Sequence, residues 1–71
     1  TGAPREGVAA LEAALDRHPA DRDILVALAT TRRDLGDIDA ALRHAETLAR
    51  LYPDDADALA LVHHLRRFQA R

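Results

Sequence analysis

Shifted along itself by 34 positions, the sequence superposes residue class on residue class. Pro19 falls on Pro53, Asp21 on Asp55, Asp23 on Asp57, Leu25 on Leu59, Leu28 on Val62, Arg32 on Arg66 and Arg33 on Arg67. Upstream, the same shift puts Gly2 on Gly36, Glu12 on Glu46 and Ala14 on Leu48. Proline, acidic, basic and apolar positions keep register together, which unrelated amphipathic helices do not readily do. A period of this length marks a repeat architecture, whose units stack because one unit cannot hide its apolar face alone. The expected class is all-α.

Local chemistry divides the chain into four helical segments. In the stretch REGVAALEAALDRH, Val8, Leu11, Ala14 and Leu15 recur at spacings of three and four and give one apolar face. Gly7 weakens its first turn. The residue before a proline is steered out of the helical region, so Pro19 ends this helix at about Arg17. Asp21 is placed to cap the next helix and Asp23 to favour its positive end. Along RDILVALATTRRDL, Leu25, Leu28 and Leu35 fall on one side, and Gly36 suits a left-handed C-terminal residue. Asp37 caps a third helix with Ile38, Ala41, Leu42, Ala45, Leu48 and Ala49 as its buried stripe, and Asp39 with Arg43 and Glu46 with Arg50 form i,i+4 pairs. After Pro53, the stretch DDADALALVHHLRRF turns Leu59, Val62 and Leu65 inward. Short joints make these segments antiparallel neighbours.

Composition removes several function classes. At 71 residues there is one domain, with an expected stability of only a few kcal/mol. No cysteine is present, which rules out disulfides, thiolate metal sites and cysteine nucleophiles within the sequence and leaves cytoplasm and periplasm both open. Ten basic residues stand against twelve acidic ones, for a formal charge of -2, so there is no large basic face for nucleic acid. The apolar runs ILVALATT and ALALVHHL are too short to cross a bilayer. The opening TGAPREG, without methionine, suggests a processed product or a piece of a longer chain.

No constellation points to catalysis. His63 and His64 are adjacent and project about 100 degrees apart on a helix, so they cannot share one ion from the same stripe; His18 and His44 match no metal spacing. The aspartates follow a cap-and-first-turn rhythm, and LYPDDAD lacks the glycine and distal glutamate of a calcium loop. Nucleotide loops and nucleophile elbows are absent. The expectation is a non-enzyme with no cofactor and no metal. Tyr52, at a helix end, reads as a surface or joint residue, and the Arg32–Arg33 and Arg66–Arg67 doublets read as solvated surface.

The pattern resembles the tetratricopeptide repeat, whose units set large apolar residues in a first helix, a glycine before the second, a small residue inside it and a proline after it. The complete unit here runs from Arg22 to Asp55. Leu25 takes the place usual for tryptophan, Leu28 that of the leucine and Gly36 that of the inter-helix glycine; Ala41 and Leu48 take small positions and Pro53 the terminal proline. Residues 5–17 then form the second helix of a preceding repeat and residues 56–70 the first helix of a following one. Together residues 1–71 make a single domain, a helical-hairpin solenoid fragment of about four antiparallel helices. Ala29 replaces the usual glycine, Arg32 the usual tyrosine, Ala45 an aromatic and Gly7 an alanine, so close, alanine-rich packing is expected.

The resemblance implies a binding role for the concave face, which first helices line. The positions carried over are Asp23, Val26, Ala27, Thr30 and Arg33 from one helix, and Asp57, Ala60, Leu61, His64 and Arg67 from the next. Asp23 and Asp57 would make one end of this groove acidic, and Arg33 and Arg67 the other basic. Val26, Thr30, Asp57 and Leu61 do not reproduce the lysine and asparagine clamp with which some members hold chaperone tails. The leading expectation is a protein-interaction module taking a peptide or neighbouring helix, with the remainder of a parent chain or a second copy among the candidate partners. One alternative is a structural spacer or oligomerisation element of a larger bacterial protein, since Leu59, Leu61, Val62, Leu65 and Phe68 on the last helix exceed what one inward face hides. The other is a non-catalytic accessory domain of a periplasmic electron-transfer or assembly protein.

Overall fold

Three aspartates start helices. Asp21 accepts a hydrogen bond from the Ile24 amide at 3.2 Å, Asp37 one from Ala40 at 3.3 Å, and Asp55 bonds from Asp57 at 3.0 Å and Ala58 at 3.2 Å. Each carboxylate satisfies amides that the first helical turn leaves unpaired. The helices so delimited in the computed structural model are α1 (Pro4–Arg17), α2 (Arg22–Asp34), α3 (Ile38–Leu51) and α4 (Ala56–Gln69). The structure describes the backbone of residues 4–69 and the side chains of residues 6–69; Gly2 and Ala70, named above, lie outside them. Gly36 follows α2 with φ of +85°, a conformation its missing Cβ makes inexpensive.

Consecutive helices pack as neighbours, α1 on α2, α2 on α3 and α3 on α4. The assembly is a slab of 30 × 28 × 15 Å, one pair of helices thick. α3 is central because its stripe is apolar and mostly small. Ala41, Ala45 and Leu48 are fully buried; Ala41 and Ala45 cluster with Ala29 of α2 and with Val62 and Leu65 of α4. Leu48 instead closes on Leu25 of α2 and Ala58 of α4, with Leu15 of α1 and Tyr52 against them. Removing a leucine side chain of this kind from water contributes roughly 1.5–3 kcal/mol, so Leu25, Leu28, Leu48 and Leu65 dominate the core.

Several expected contacts are redirected by tertiary packing. Leu35 does not continue the buried side of α2: it lies past the helix end and is 42% exposed. Leu59 is 47% exposed, and Ala58 takes the buried place beside it. The exposure of Leu59 has a simple cause. Leu25, its counterpart, is covered by α3, whereas no described helix lies over the same face of α4. Asp39 and Glu46 do not pair along α3. They reach α4, where Asp39 accepts from the Gln69 amide at 3.0 Å and Glu46 meets Arg66 at 3.0 Å.

Arg32, in the place usual for tyrosine, does not extend onto a solvated surface. It is half-buried and meets Glu12 of α1 at 3.1 Å and Asp37 at 3.4 Å, while His44 stands 3.3 Å from the same Glu12. Glu12–Arg32 and Glu46–Arg66 are one contact repeated 34 residues apart. These ion pairs tie α1 to α2 and α3 to α4.

Candidate functional site

On the side of the slab where α2 and α4 face each other, a cavity of ≈ 570 Å³ opens between them. Its lining includes Val26, Thr30 and Arg33 from α2 and Asp57, Ala60, Leu61 and His64 from α4. Seven of the ten residues named from the sequence therefore stand around one space. Val26 with Ala60 and Thr30 with His64 are echo pairs that face it together. The other three, Asp23, Ala27 and Arg67, do not line it. Asp23 is at the outer rim of the first turn, its side chain almost wholly in water.

Arg22 also lines the cavity, and the sequence reading overlooks it. Its Nε donates to Asp55, and its Nη2 lies 3.2 Å from Asp57. These partners are 33 and 35 residues away, so no within-helix spacing rule finds them. The available signal was the repeat itself, which sets the acidic turn after Pro53 beside the turn after Pro19. The Arg22 hydrogen bond holds the Asp55 carboxyl below its ordinary value, with the Ala58 and Asp57 amides adding to the effect against partial burial. The same contact raises the Arg22 guanidinium further above its already high value.

This pairing moderates the expected gradient of charge. At the end of the groove that carries Asp57, the one Arg22 guanidinium offsets part of the charge of Asp55 and Asp57, with Asp23 3.9 Å away, and at the opposite end Arg33 lies 3.3 Å from Asp34. The Thr30 hydroxyl donates back to the Val26 carbonyl at 2.9 Å and the Ala27 carbonyl at 3.1 Å, which leaves its methyl and an acceptor lone pair for a visitor. His64 stacks edge-on with Phe68, ring centroids 5.0 Å apart. The middle of the groove is mostly apolar, lined by Val26, Ala60 and Leu61 beside Thr30, between ends where charged groups are partly paired.

A second cavity, ≈ 600 Å³, lies between α1 and α3 and is lined by Glu12, Asp16, Arg32, Arg43 and His44 among others. Within it Glu12 meets both Arg32 and His44. Among the described residues, no group of three or more histidines, aspartates and glutamates could hold a metal ion. No helix of the described residues is long and apolar enough to cross a membrane.

The family model described as tetratricopeptide repeat matches residues 1–65. The chain belongs to the tetratricopeptide-repeat family. Repeats of this family are non-catalytic scaffolds that mediate contacts between proteins, and the four-helix, all-α arrangement is that of a fragment of such a solenoid. No curated protein and no solved structure matched the chain.

Proposed function

We propose that this tetratricopeptide-repeat chain, with Arg22–Asp55 as its complete unit, holds a short segment of another protein in the cavity between α2 and α4. The observation that carries this reading is the convergence of equivalent positions: Val26 with Ala60, and Thr30 with His64, face one space across the two first helices. An apolar side chain of the visiting segment packs on Val26, Ala60 and Leu61, and polar groups of its backbone meet the Thr30 oxygen and the His64 ring. Binding is driven chiefly by the apolar middle, because Arg22 and Arg33 at the two ends are already engaged by carboxylates.

Peptides selected from a displayed random library against the isotopically labelled chain test this. Their titration should move the amide resonances of Thr30, Arg33, Leu61 and His64, and Leu61→Asp should abolish binding while helical content is kept. Shifts confined to Arg43, His44 and Thr47, on the other side of the slab, would refute it.

A further inference from the structure

We propose that a second copy of this chain lays its α1 on the open face of α4, so that copies continue the stack head to tail. The contact between α2 and α3 is the template. Adding 34 to α2 gives α4, and subtracting 34 from α3 gives α1, whose bounds Pro4–Arg17 correspond to Ile38–Leu51 residue for residue. Each outer helix therefore carries one half of an interface that the inner helices complete.

The two halves are open in the positions this requires. Leu25 and Ala29 of α2 are fully buried, yet their equivalents on α4, Leu59 and His63, are exposed. Ala41, Ala45 and Leu48 of α3 are fully buried, and their equivalents on α1 are Gly7, exposed, with Leu11 and Ala14, half-buried. Size is compensated across the joint. Where Ala29 and Ala41 share a cluster inside the chain, the intermolecular version sets the larger His63 near Gly7, whose missing Cβ has no atom within 4 Å.

Charge favours the same register. Within the chain, the Tyr52 hydroxyl at the end of α3 donates to the Ala20 carbonyl ahead of α2. The equivalent residues are His18 and Asp54. Docking of α1 thus brings the exposed basic end Arg17–His18 of the incoming copy beside the exposed Asp54 of the receiving one. A contact of one helix on one helix is smaller than the roughly 1,200 Å² of stable interfaces, so association is weak and concentration-dependent. It is also heterologous, so it does not end at a dimer. None of these residues lines the cavity between α2 and α4, which makes the test independent of the peptide-binding reading.

The experiment uses two populations of the 71-residue chain. One is nitrogen-15 labelled; the other is unlabelled, carries Ala10→Cys and bears a nitroxide there. Ala10 is the equivalent of His44, which stands beside Glu12 and Arg32; in the docked pair the nitroxide sits near Glu46 and Arg66. Sedimentation at millimolar concentration should show a mass that keeps rising beyond the dimer. The mixed sample should lose intensity at the Glu46, Leu59 and Arg66 amides of the labelled copy, and Leu59→Asp in that copy should restore it. A strict monomer at that concentration overturns the proposal. So does association that leaves α4 unbroadened or broadens α1 instead, either of which assigns the contact to a different pairing.

Discussion

The repeated ion pair permits a quantitative comparison between two junctions built from equivalent residues. Arg32 meets Glu12 at 3.1 Å and Arg66 meets Glu46 at 3.0 Å, so the bare attraction is nearly the same. Water differs. The Arg32 side chain is 28% exposed and that of Arg66 59%, and Arg32 also has Asp37 within 3.4 Å. Exposed pairs contribute about 0.2–1 kcal/mol, and the outer pair belongs near the bottom of that range, at about 0.3 kcal/mol. The inner pair, less screened and embedded in a cluster with His44 and Asp37, should reach about 1 kcal/mol. Double-mutant cycles with Glu12→Gln and Arg32→Gln, and with Glu46→Gln and Arg66→Gln, measure both couplings through urea unfolding followed by circular dichroism. Glu12→Gln should be the more damaging inner single variant. It leaves the Arg32 cation with Asp37 alone and with an Nε that is buried without a hydrogen-bond partner, whereas Arg32→Gln removes that donor. At about 1 M salt, where the screening length falls to about 3 Å, the outer coupling should vanish first. An outer coupling equal to or above the inner one would refute the view that burial separates the two junctions.

Leu48→Ala should destabilise by about 3 kcal/mol, since the side chain is fully buried between Leu25 and Ala58; that is comparable to the whole stability expected at this size, and circular dichroism should show a largely unfolded chain. Leu51→Ala, at a residue 42% exposed, should stay within about 0.5 kcal/mol. Thermal melts of two glycine variants should move in opposite directions: Gly36→Ala downward by about 1 kcal/mol because of its φ of +85°, and Gly7→Ala upward by about 0.5–1 kcal/mol because it is helical with open space around it. Because Asp55 is held below the ordinary carboxyl value of 3.8, its contribution is complete above that value and lost as pH falls through the lowered one. Asp55→Asn keeps an acceptor for the helix cap, and should lower stability at neutral pH while flattening its decline on acidification, as urea midpoints across the acid range will show.

What the sequence states openly is what neighbouring residues decide among themselves. Asp21, Asp37 and Asp55 cap helices through contacts two or three residues away, and Gly36 answers to its own dihedral, so these features are readable before any packing is considered. The apolar face of each helix is equally local. Whether that face is covered is not. Leu25 and Leu59 occupy equivalent places in the repeat, and one is wholly buried while the other is 47% exposed, because burial depends on a neighbouring helix. Leu35 follows the spacing of a buried position but comes after the last helical turn. Charge partners behave the same way: Glu46 has Arg50 one turn along and takes Arg66 instead, because the packing of α3 on α4 brings the distant guanidinium to 3.0 Å.

On the proposed reading, Arg22 shows how such a long-range choice changes what the groove would recognise. Without it, Asp55 and Asp57 would give one end of the α2–α4 cavity two uncompensated negative charges, and a basic residue of a partner would be selected there. With Arg22 bridging both, a visiting cation competes with an arginine already in place, and a visiting anion meets two carboxylates behind the guanidinium. The acidic end is then less selective for charge, and on that reading discrimination rests more on the shape of the apolar middle. The two first helices are not equivalent in this respect. Val26 is matched by the smaller Ala60 and Thr30 by the bulkier His64, so a segment lying across the groove meets a wide side and a narrow side and has a preferred direction. On the proposed reading, Ala60→Leu narrows the wide side and should weaken peptides with large apolar residues more than those with small ones. Arg22→Gln should shift selection toward basic residues without changing that size preference.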